Sequence, residues 1–192
     1  MDKFLIACLG NIGAEYAGTR HNAGFEVADA LAIKHKTEFQ PGRLADITEI
    51  RLKGKMLLVI KPSTYMNLSG KSVKYWLDKE KIEISRLLVV LDDLAIPLSK
   101  LRLRPSGNDG GHNGLKSIQE TLGTIDYPRL RFGIGGNYPK GMQVDFVLGK
   151  WDKTEIPTVL QKIEKSVEVI EIFAFRGLEP AMNEVNKMNF GG

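Results

Sequence analysis

The sequence predicts an α/β fold in which helices flank both faces of one twisted, mixed β-sheet. Apolar strand patterns alternate along the chain with helical patterns, which is the order expected when helices pack on a sheet. The segments "ADITEIRL" and "MLLVIKP" flank the turn "KGK" and predict a hairpin, so the sheet cannot be wholly parallel. A length of 192 residues suits one core, and we assign residues 1–192 to a single domain.

The first half of the chain alternates strands and helices. "KFLIACL" predicts a buried strand in which Cys8 is a core residue, and "GNIGAEY" predicts the turn that follows it. Apolar residues then follow helical spacing from Asn22 onward, with one face formed by Phe25, Ala28, Leu31 and Ala32. After the hairpin, which turns at Gly54, "NLSGKSVKYWLDK" predicts a second helix that buries Val73, Trp76 and Leu77.

The second half continues the alternation. "RLLVVLDD" predicts a strand that ends in two carboxylates, and "KLRLR" predicts a strand whose basic residues share one face. "GHNGLKSIQETLG" predicts a short helix ended by Gly123, and "LRFGIG" predicts another strand. "EIPTVLQKIEKSVEVIEIFAF" predicts a long amphipathic helix with a buried stripe of Ile156, Val159, Leu160, Ile163, Val167 and Ile170. We expect the tail "MNFGG" to fray.

Positive charge is concentrated in the middle of the chain. The net charge is +4, but residues 51–140 carry 16 Lys and Arg against 8 Asp and Glu, whereas residues 1–50 and 151–192 are each net acidic. A concentrated positive field favours a polyanionic partner such as nucleic acid. The alternative is a basic surface that is merely solvated.

Cysteine content and hydropathy bear on the compartment. One cysteine cannot form an internal disulfide, which indicates a reducing compartment, and we expect a cytoplasmic protein. "FLIACL" is too short for the apolar region of a signal peptide, and no apolar run approaches the roughly 20 residues of a membrane span. No coiled-coil stripe stands out, so we expect a monomer that does not bind membranes.

Four loops carry polar side chains that suit a binding site. In an open α/β sheet, ligands bind beyond the strand ends, so these loops are expected to meet in one cleft. The polar residues fall into four groups: Asn11 with His21 and Asn22, Asp92 with Asp93, His112 with Asn113, and Asn67.

His21 is the candidate general base, because imidazole alone has an unperturbed pKa near neutrality. A buried Asp92 would hold its tautomer and stabilise the imidazolium. The alternative is that His21 and Asn22 only begin a helix, with Asn22 as the N-cap. Asp92 and Asp93 could likewise only solvate a strand end, and His112 could be structural. His35, in "KHK", is expected to be solvated.

Three other chemistries fit the sequence poorly. "LGNIGA" lacks the G-x-G-x-x-G spacing of a dinucleotide-binding loop, although it leaves a nucleotide-binding enzyme open as a hypothesis. Two histidines and an aspartate could bind a metal, but no H-x-x-x-H or H-x-E-x-H spacing supports this. No G-x-S-x-G nucleophile elbow is present, and Cys8 is too buried to act as a nucleophile.

Five segments, in order, resemble motifs of bacterial-type peptidyl-tRNA hydrolases: "CLGNIGAEYAGTRHNAGF", "KPSTYMNLSGKSV", "VVLDDLAIPLSKLRLR", "SGNDGGHNGLKSI" and "YPRLRFGIG". The resemblance runs from about Phe4 to the final helix. It implies hydrolysis of the ester between a peptide and the 3′ ribose of tRNA, with peptidyl-tRNA as the partner and neither metal nor cofactor required.

The resemblance also implies roles for single residues. His21 matches the catalytic histidine and Asp92 its partner carboxylate. The matched substrate-binding positions are Asn11, Tyr16, Met66, Asn67, His112 and Asn113. The positions matched to tRNA phosphate binding are Arg102, Arg104 and Arg131.

Three residues depart from the usual family pattern. Ile12 stands where the family usually has Pro, Ala95 replaces a common acidic residue, and Ser99 replaces a common Gly. None of them is a matched catalytic position. An RNA-binding module on the same fold, without ester cleavage, stays open as the competing hypothesis.

Overall fold

A computed structural model describes residues 1–191 and contains one seven-stranded β-sheet. Its strands lie in the order β2-β3-β4-β1-β5-β7-β6. Their bounds are Asp2–Cys8 (β1), Gln40–Gly42 (β2), Ala45–Leu52 (β3), Lys55–Pro62 (β4), Leu87–Asp93 (β5), Leu101–Arg104 (β6) and Arg129–Gly133 (β7).

Strand direction determines where the polar loops meet. The four central strands β4, β1, β5 and β7 are parallel, whereas β2, β3 and β6 pair antiparallel with their neighbours. Parallel strands end at the same edge of a sheet, so the loops that follow them lie side by side. The mixed sheet predicted from the sequence is confirmed.

Helices cover both faces of the sheet. Their bounds are Ala23–Lys34 (α1), Ser69–Glu80 (α2), Asn113–Leu122 (α3), Gln143–Val147 (α4), Ile156–Arg176 (α5) and Leu178–Val185 (α6). The helices α1, α5 and α6 form one core with one face of the sheet, and α2 and α3 form a second core with the other face. Among residues 1–191, no helix has the length and apolar character needed to cross a bilayer.

The start of α1 lies directly against the strands. A Cβ atom on Gly24 would be 2.8 Å from both the Leu9 nitrogen and the Val90 oxygen, closer than real Cβ contacts allow. Only glycine therefore permits this approach. The close packing brings the segment before α1 to the carboxyl end of β5.

Most predicted elements are confirmed, including the hairpin of β3 and β4 and the left-handed Gly123 at φ 71° after α3. No sequence pattern predicted β2, α4 or α6. Each of them is short, and α4 buries none of its residues. Short elements are held by tertiary contacts more than by their own periodicity.

Three expectations about burial are wrong. Ile156 and Leu160 of α5 are 41% and 60% exposed, because the helix turns other residues toward the sheet. The tail is not frayed at Phe190, which is buried and donates its N–H to the Ser99 carbonyl at 2.9 Å. His35 is not simply solvated, because its Nε2 contacts Glu171 at 2.9 Å.

Candidate active site

The segment Thr19–Asn22 supplies four side chains with four different partners. Thr19 Oγ1 donates to the Tyr16 carbonyl at 2.7 Å. Asn22 Oδ1 accepts from the Asn11 N–H at 2.8 Å, and Asn22 Nδ2 donates to the Asn11 carbonyl at 2.9 Å. Asn22 occupies the N-cap position of α1, as the sequence predicts, but its side chain makes no cap bond to the helix and binds Asn11 instead.

Two histidines share one buried carboxylate. His21 Nδ1 lies 2.9 Å from Asp92 Oδ2, and His112 Nε2 lies 2.9 Å from Asp92 Oδ1. The rings of His21 and His112 are 5.2 Å apart between centroids. Asp92, the penultimate residue of β5, has only 2% of its surface exposed, so it does not solvate a strand end.

The hydrogen bonds define the tautomer of each imidazole. His112 Nδ1 accepts from the N–H groups of Gly114 at 3.0 Å and Leu115 at 3.4 Å, so its proton is on Nε2, facing Asp92. His21 contacts Asp92 through Nδ1, which places its proton there. The lone pair on His21 Nε2 is therefore free to accept a proton.

The carboxylate of Asp92 is held in its charged form. Burial alone would raise its pKa, but His112 and His21 outweigh that effect and lower the pKa to about 2. A charged Asp92 can stabilise an imidazolium on His21.

His21, Asp92 and His112 also have the spacing of a metal site, since their ligand atoms lie within 4.8 Å of one another. A metal on His112 Nε2 would require the ring proton at Nδ1. There it would meet the N–H groups of Gly114 and Leu115 that now donate to this nitrogen. The donor set therefore fits a carboxylate between two imidazoles better than a metal ligand set.

A cavity of about 120 Å³ lies beside His21 and Asp92. Its lining includes His112 and Asn113 and, from α4, Gln143, Val144 and Val147. The sequence predicted neither α4 nor its place at the site.

Arg20 holds α4 in this position. Its guanidinium lies 4.2 Å from the Phe146 ring, donates to the Phe146 carbonyl at 3.2 Å and pairs with Glu155 at 2.9 Å. The Arg20 N–H also donates to the Gly149 carbonyl at 2.9 Å. Arg20, next to the candidate base, thus ties the segment Thr19–Asn22 to α4.

The amide-bearing residues form a second group. Asn11 Oδ1 accepts from the Met66 N–H at 3.0 Å, and the single-turn helix Met66–Leu68 packs on α3. Met66 is buried, whereas Asn67 and Asn113 are exposed. Within residues 1–191, the side chains of Asn67 and Asn113 make no hydrogen bond.

Tyr16, another of the sequence-predicted site residues, makes no side-chain hydrogen bond to His21 or Asp92. It is half-buried in the single-turn helix Ala14–Tyr16. Its carbonyl accepts from the Thr19 hydroxyl at 2.7 Å and from the Thr19 N–H at 3.2 Å, which links it to the segment Thr19–Asn22.

Four arginines occupy one face of the edge strand and its neighbour. Arg102 lies opposite Arg131, and Arg104 opposite Arg129, in the antiparallel pair β6 and β7. Arg131 is already engaged, with Nη1 3.0 Å from Asp93 Oδ2 and Nη2 3.0 Å from the Asn108 carbonyl. Within the described part of the chain, Arg102 and Arg104 form no ion pair.

The sequence model of the family described as peptidyl-tRNA hydrolase matches residues 5–191. The chain belongs to the peptidyl-tRNA hydrolase family. Membership makes it a hydrolase of peptidyl-tRNA, as its motifs imply, and the nucleotide-binding hypothesis is not supported.

Individual relatives agree with this assignment. A peptidyl-tRNA hydrolase of Phocaeicola vulgatus is 50% identical over 96% of this chain and 99% of its own length. One from Porphyromonas gingivalis is 48% identical over 96% of this chain and 100% of its own length. The crystal structure of peptidyl-tRNA hydrolase from Acinetobacter baumannii superposes with a TM-score of 0.91 at 32% identity, covering 97% of this chain and 95% of that chain.

The three departures from the usual peptidyl-tRNA hydrolase pattern lie outside the histidine–carboxylate group. Ile12 and Ala95 are exposed. The Ala95 N–H is bound by Asp93 Oδ1 at 2.8 Å, and the Ser99 carbonyl accepts from Phe190. Within residues 1–191, no hydrogen bond or ion pair joins these three residues to His21.

Proposed function

We propose that the chain cleaves the ester of peptidyl-tRNA with His21 as the general base. In this proposal Asp92 orients the imidazole of His21 and stabilises the imidazolium that forms. The observation that carries the proposal is the 2.9 Å contact between His21 Nδ1 and Asp92 Oδ2. It leaves Nε2 of His21 with a lone pair on the side away from the carboxylate.

The reaction needs one water molecule and no redox step. His21 Nε2 takes a proton from water as the oxygen attacks the ester carbonyl and forms a tetrahedral oxyanion. Collapse of this intermediate breaks the bond to the ribose oxygen, which takes the proton back from the imidazolium. The products are the free peptide acid and tRNA with a restored hydroxyl. Asp92 stabilises the imidazolium between the two steps.

Amide side chains bind the reacting groups. Asn67 and Asn113 are exposed, so their amides are available to substrate, while Asn11 is oriented through Met66. An amide N–H can donate to the developing oxyanion, and an amide oxygen can accept the peptide N–H of an N-blocked substrate. A free ammonium would instead bring a charge with a cost of desolvation. Tyr16 and Met66 would line the path of the peptide, and His112 would hold Asp92 from the other side.

Basic side chains on β6 bind the tRNA. Arg102 and Arg104 lie two residues apart on one strand face and can contact phosphates without reading sequence. Arg131 would add a third contact from β7, beside its own contact with Asp93. We place the reaction in the cytoplasm, where peptidyl-tRNA is made, and propose a monomer.

The direct test compares N-acetyl-aminoacyl-tRNA with the unblocked aminoacyl-tRNA. The wild type should release the N-acetyl amino acid and leave the unblocked ester intact. Asn113→Ala should lower kcat/KM at least about tenfold, since one oxyanion donor is lost. Asn183→Ala, an exposed asparagine on α6, is the matched control and should match the wild type. Equal cleavage of both substrates would contradict the proposal.

A further inference from the structure

The loop between β6 and α3, residues 105–112, ends at His112 and needs support from outside. Gly107, Gly110 and Gly111 have positive φ angles of 148°, 60° and 84°, a region that glycine enters readily. Glycine also loses the most backbone entropy on ordering, so such a loop is costly to hold in one shape. Its internal bonds are few: the His112 N–H donates to the Asp109 carbonyl at 3.0 Å, and the Gly111 N–H to Asp109 Oδ1 at 2.8 Å.

Arg129, the first residue of β7, binds this loop through a hydrogen bond to its backbone. Its side chain is directed from β7 into the protein, and only 1% of the residue is exposed. Nη1 donates to the Gly107 carbonyl at 2.9 Å, Nε to the Tyr127 carbonyl at 3.3 Å, and Nη2 to the Ile125 carbonyl. The guanidinium also lies 4.1 Å from the centre of the Tyr127 ring.

Burying the charged side chain of Arg129 costs desolvation free energy. Among residues 1–191, Arg129 forms no ion pair, and burial lowers its pKa. An apolar side chain of similar size would avoid the desolvation cost. What only the guanidinium provides is a planar set of donors that joins three carbonyls from two segments in one geometry.

The adjacent arginine on the same strand face repeats the pattern. Arg131 Nη2 donates to the Asn108 carbonyl at 3.0 Å, one residue after the carbonyl that Arg129 binds. Two successive carbonyls of the loop are thus fixed to β7, which itself pairs with the strand that carries Asp92. The distance between His112 Nε2 and Asp92 Oδ1 depends on where these anchors hold the loop.

We propose that Arg129 is a positioning residue of the active site, which holds the loop of residues 105–112 so that His112 meets Asp92. Arg129 itself touches neither the catalytic pair nor the cavity beside it. Its effect on catalysis passes through His112, so the two residues act as a unit. The inference rests on the proposed function, in which His112 supports Asp92.

The test is a double-mutant cycle with His112→Ala, measured at a temperature where every variant is folded. Arg129→Lys should lower kcat about tenfold with KM changed by less than about twofold, because the loop is misplaced and not lost. In the His112→Ala background, the same substitution should lower kcat by less than about twofold.

Lys162→Met is the matched control. Lys162 is also fully buried and donates to two backbone carbonyls, those of Leu98 and Gly133, away from the loop of residues 105–112. Its loss should lower thermal stability and leave kcat within about twofold of the wild type.

A second measurement does not depend on turnover. In protein with ¹⁵N-labelled histidine, NMR should show His112 as the Nε2–H tautomer in the wild type and as a tautomer mixture in Arg129→Lys. Inactivity of the wild type would contradict the proposed function and leave this readout in place.

Three results would overturn the role of Arg129. They are an unchanged His112 tautomer in Arg129→Lys, the same loss of kcat with and without His112, and failure of Arg129→Lys to fold when Lys162→Met folds. The last result would show that Arg129 serves the core.

Discussion

At the scale of residues, the polar run "TRHN" is explained by four separate contacts. Thr19 closes the preceding turn, Arg20 holds α4, His21 meets Asp92, and Asn22 fixes the backbone of Asn11. A helix start would need only one of these side chains. The run is therefore the point at which several loops are joined around the candidate base.

Asp92 makes a prediction about acid stability. Its pKa is lowered from 3.8 to about 2, so its contribution to stability is complete above pH 3.8 and is lost as the pH falls through 2. The shift corresponds to about 2 kcal/mol. The difference in unfolding free energy between the wild type and Asp92→Asn, from urea titrations, should therefore shrink between pH 4 and pH 2. A difference that stays constant over this range would show that the histidines do not hold the carboxylate charged.

The sequence predicted the pairing of His21 with Asp92 because His21 precedes a predicted helix, Asp92 closes a predicted strand, and both belong to recognisable motifs. It did not predict that Asn22 binds Asn11, since a helix-capping asparagine has the same local pattern. The role of Arg20 was also hidden, because its partners lie more than 120 residues away in the chain. The sequence shows which side chains are present, but their partners are set by tertiary packing between distant segments.

At the scale of elements, α5 shows how a helical pattern can mislead. The predicted stripe included the exposed Ile156 and Leu160, while Lys162 and Ser166 are buried. Lys162 is stabilised there by the carbonyls of Leu98 and Gly133, and Ser166 Oγ donates to the Lys162 carbonyl at 2.7 Å. Periodicity predicts the helix, but the polar partners of a buried lysine cannot be seen in it.

Lys162 makes the stability of the protein depend on pH. Burial is the main cause that lowers its pKa from 10.5 to about 7. Between these values the unfolded chain binds a proton that the folded protein has released, so stability rises with pH. The wild type should gain unfolding free energy relative to Lys162→Met between pH 7 and pH 10.

Lys165→Met is the control on the same helix. Burial by itself would lower the pKa of Lys165, but its contacts with Glu184 and Glu168 together outweigh burial and raise the pKa. Between pH 7 and pH 10, the wild type should therefore gain no unfolding free energy relative to Lys165→Met. A wild-type stability that falls relative to Lys162→Met would indicate that the carbonyls hold the lysine charged.

At the scale of the whole molecule, charge and topology predict where the tRNA and the ester of the substrate bind. The excess of 8 positive charges within residues 51–140 includes the arginines of β6 and β7. These strands form one end of the sheet, while β2 and β3 form the other. The tRNA is thus expected at the β6 end, with its ester directed toward Asp92 at the end of β5 and His21 in the segment before α1.

Salt dependence tests this placement. KM for N-acetyl-aminoacyl-tRNA should rise with salt, because binding releases counterions from phosphates. Arg102→Ala and Arg104→Ala should each reduce the slope of log KM against log salt by about 1. Arg51→Ala, on β3 at the other end of the sheet, should leave the slope unchanged. A KM that is flat from low to high salt would count against β6 as the tRNA site.

The most direct measurement is single-turnover cleavage of N-acetyl-aminoacyl-tRNA by the wild type and His21→Ala, with tRNA binding measured in parallel. His35→Ala is the control, because this histidine also contacts a carboxylate, that of Glu171, but lies outside the candidate site. We expect His21→Ala to lose about 100-fold or more in rate with its tRNA affinity kept, and His35→Ala to match the wild type. A His21→Ala protein that retains more than a tenth of the wild-type rate would show that His21 is not the base.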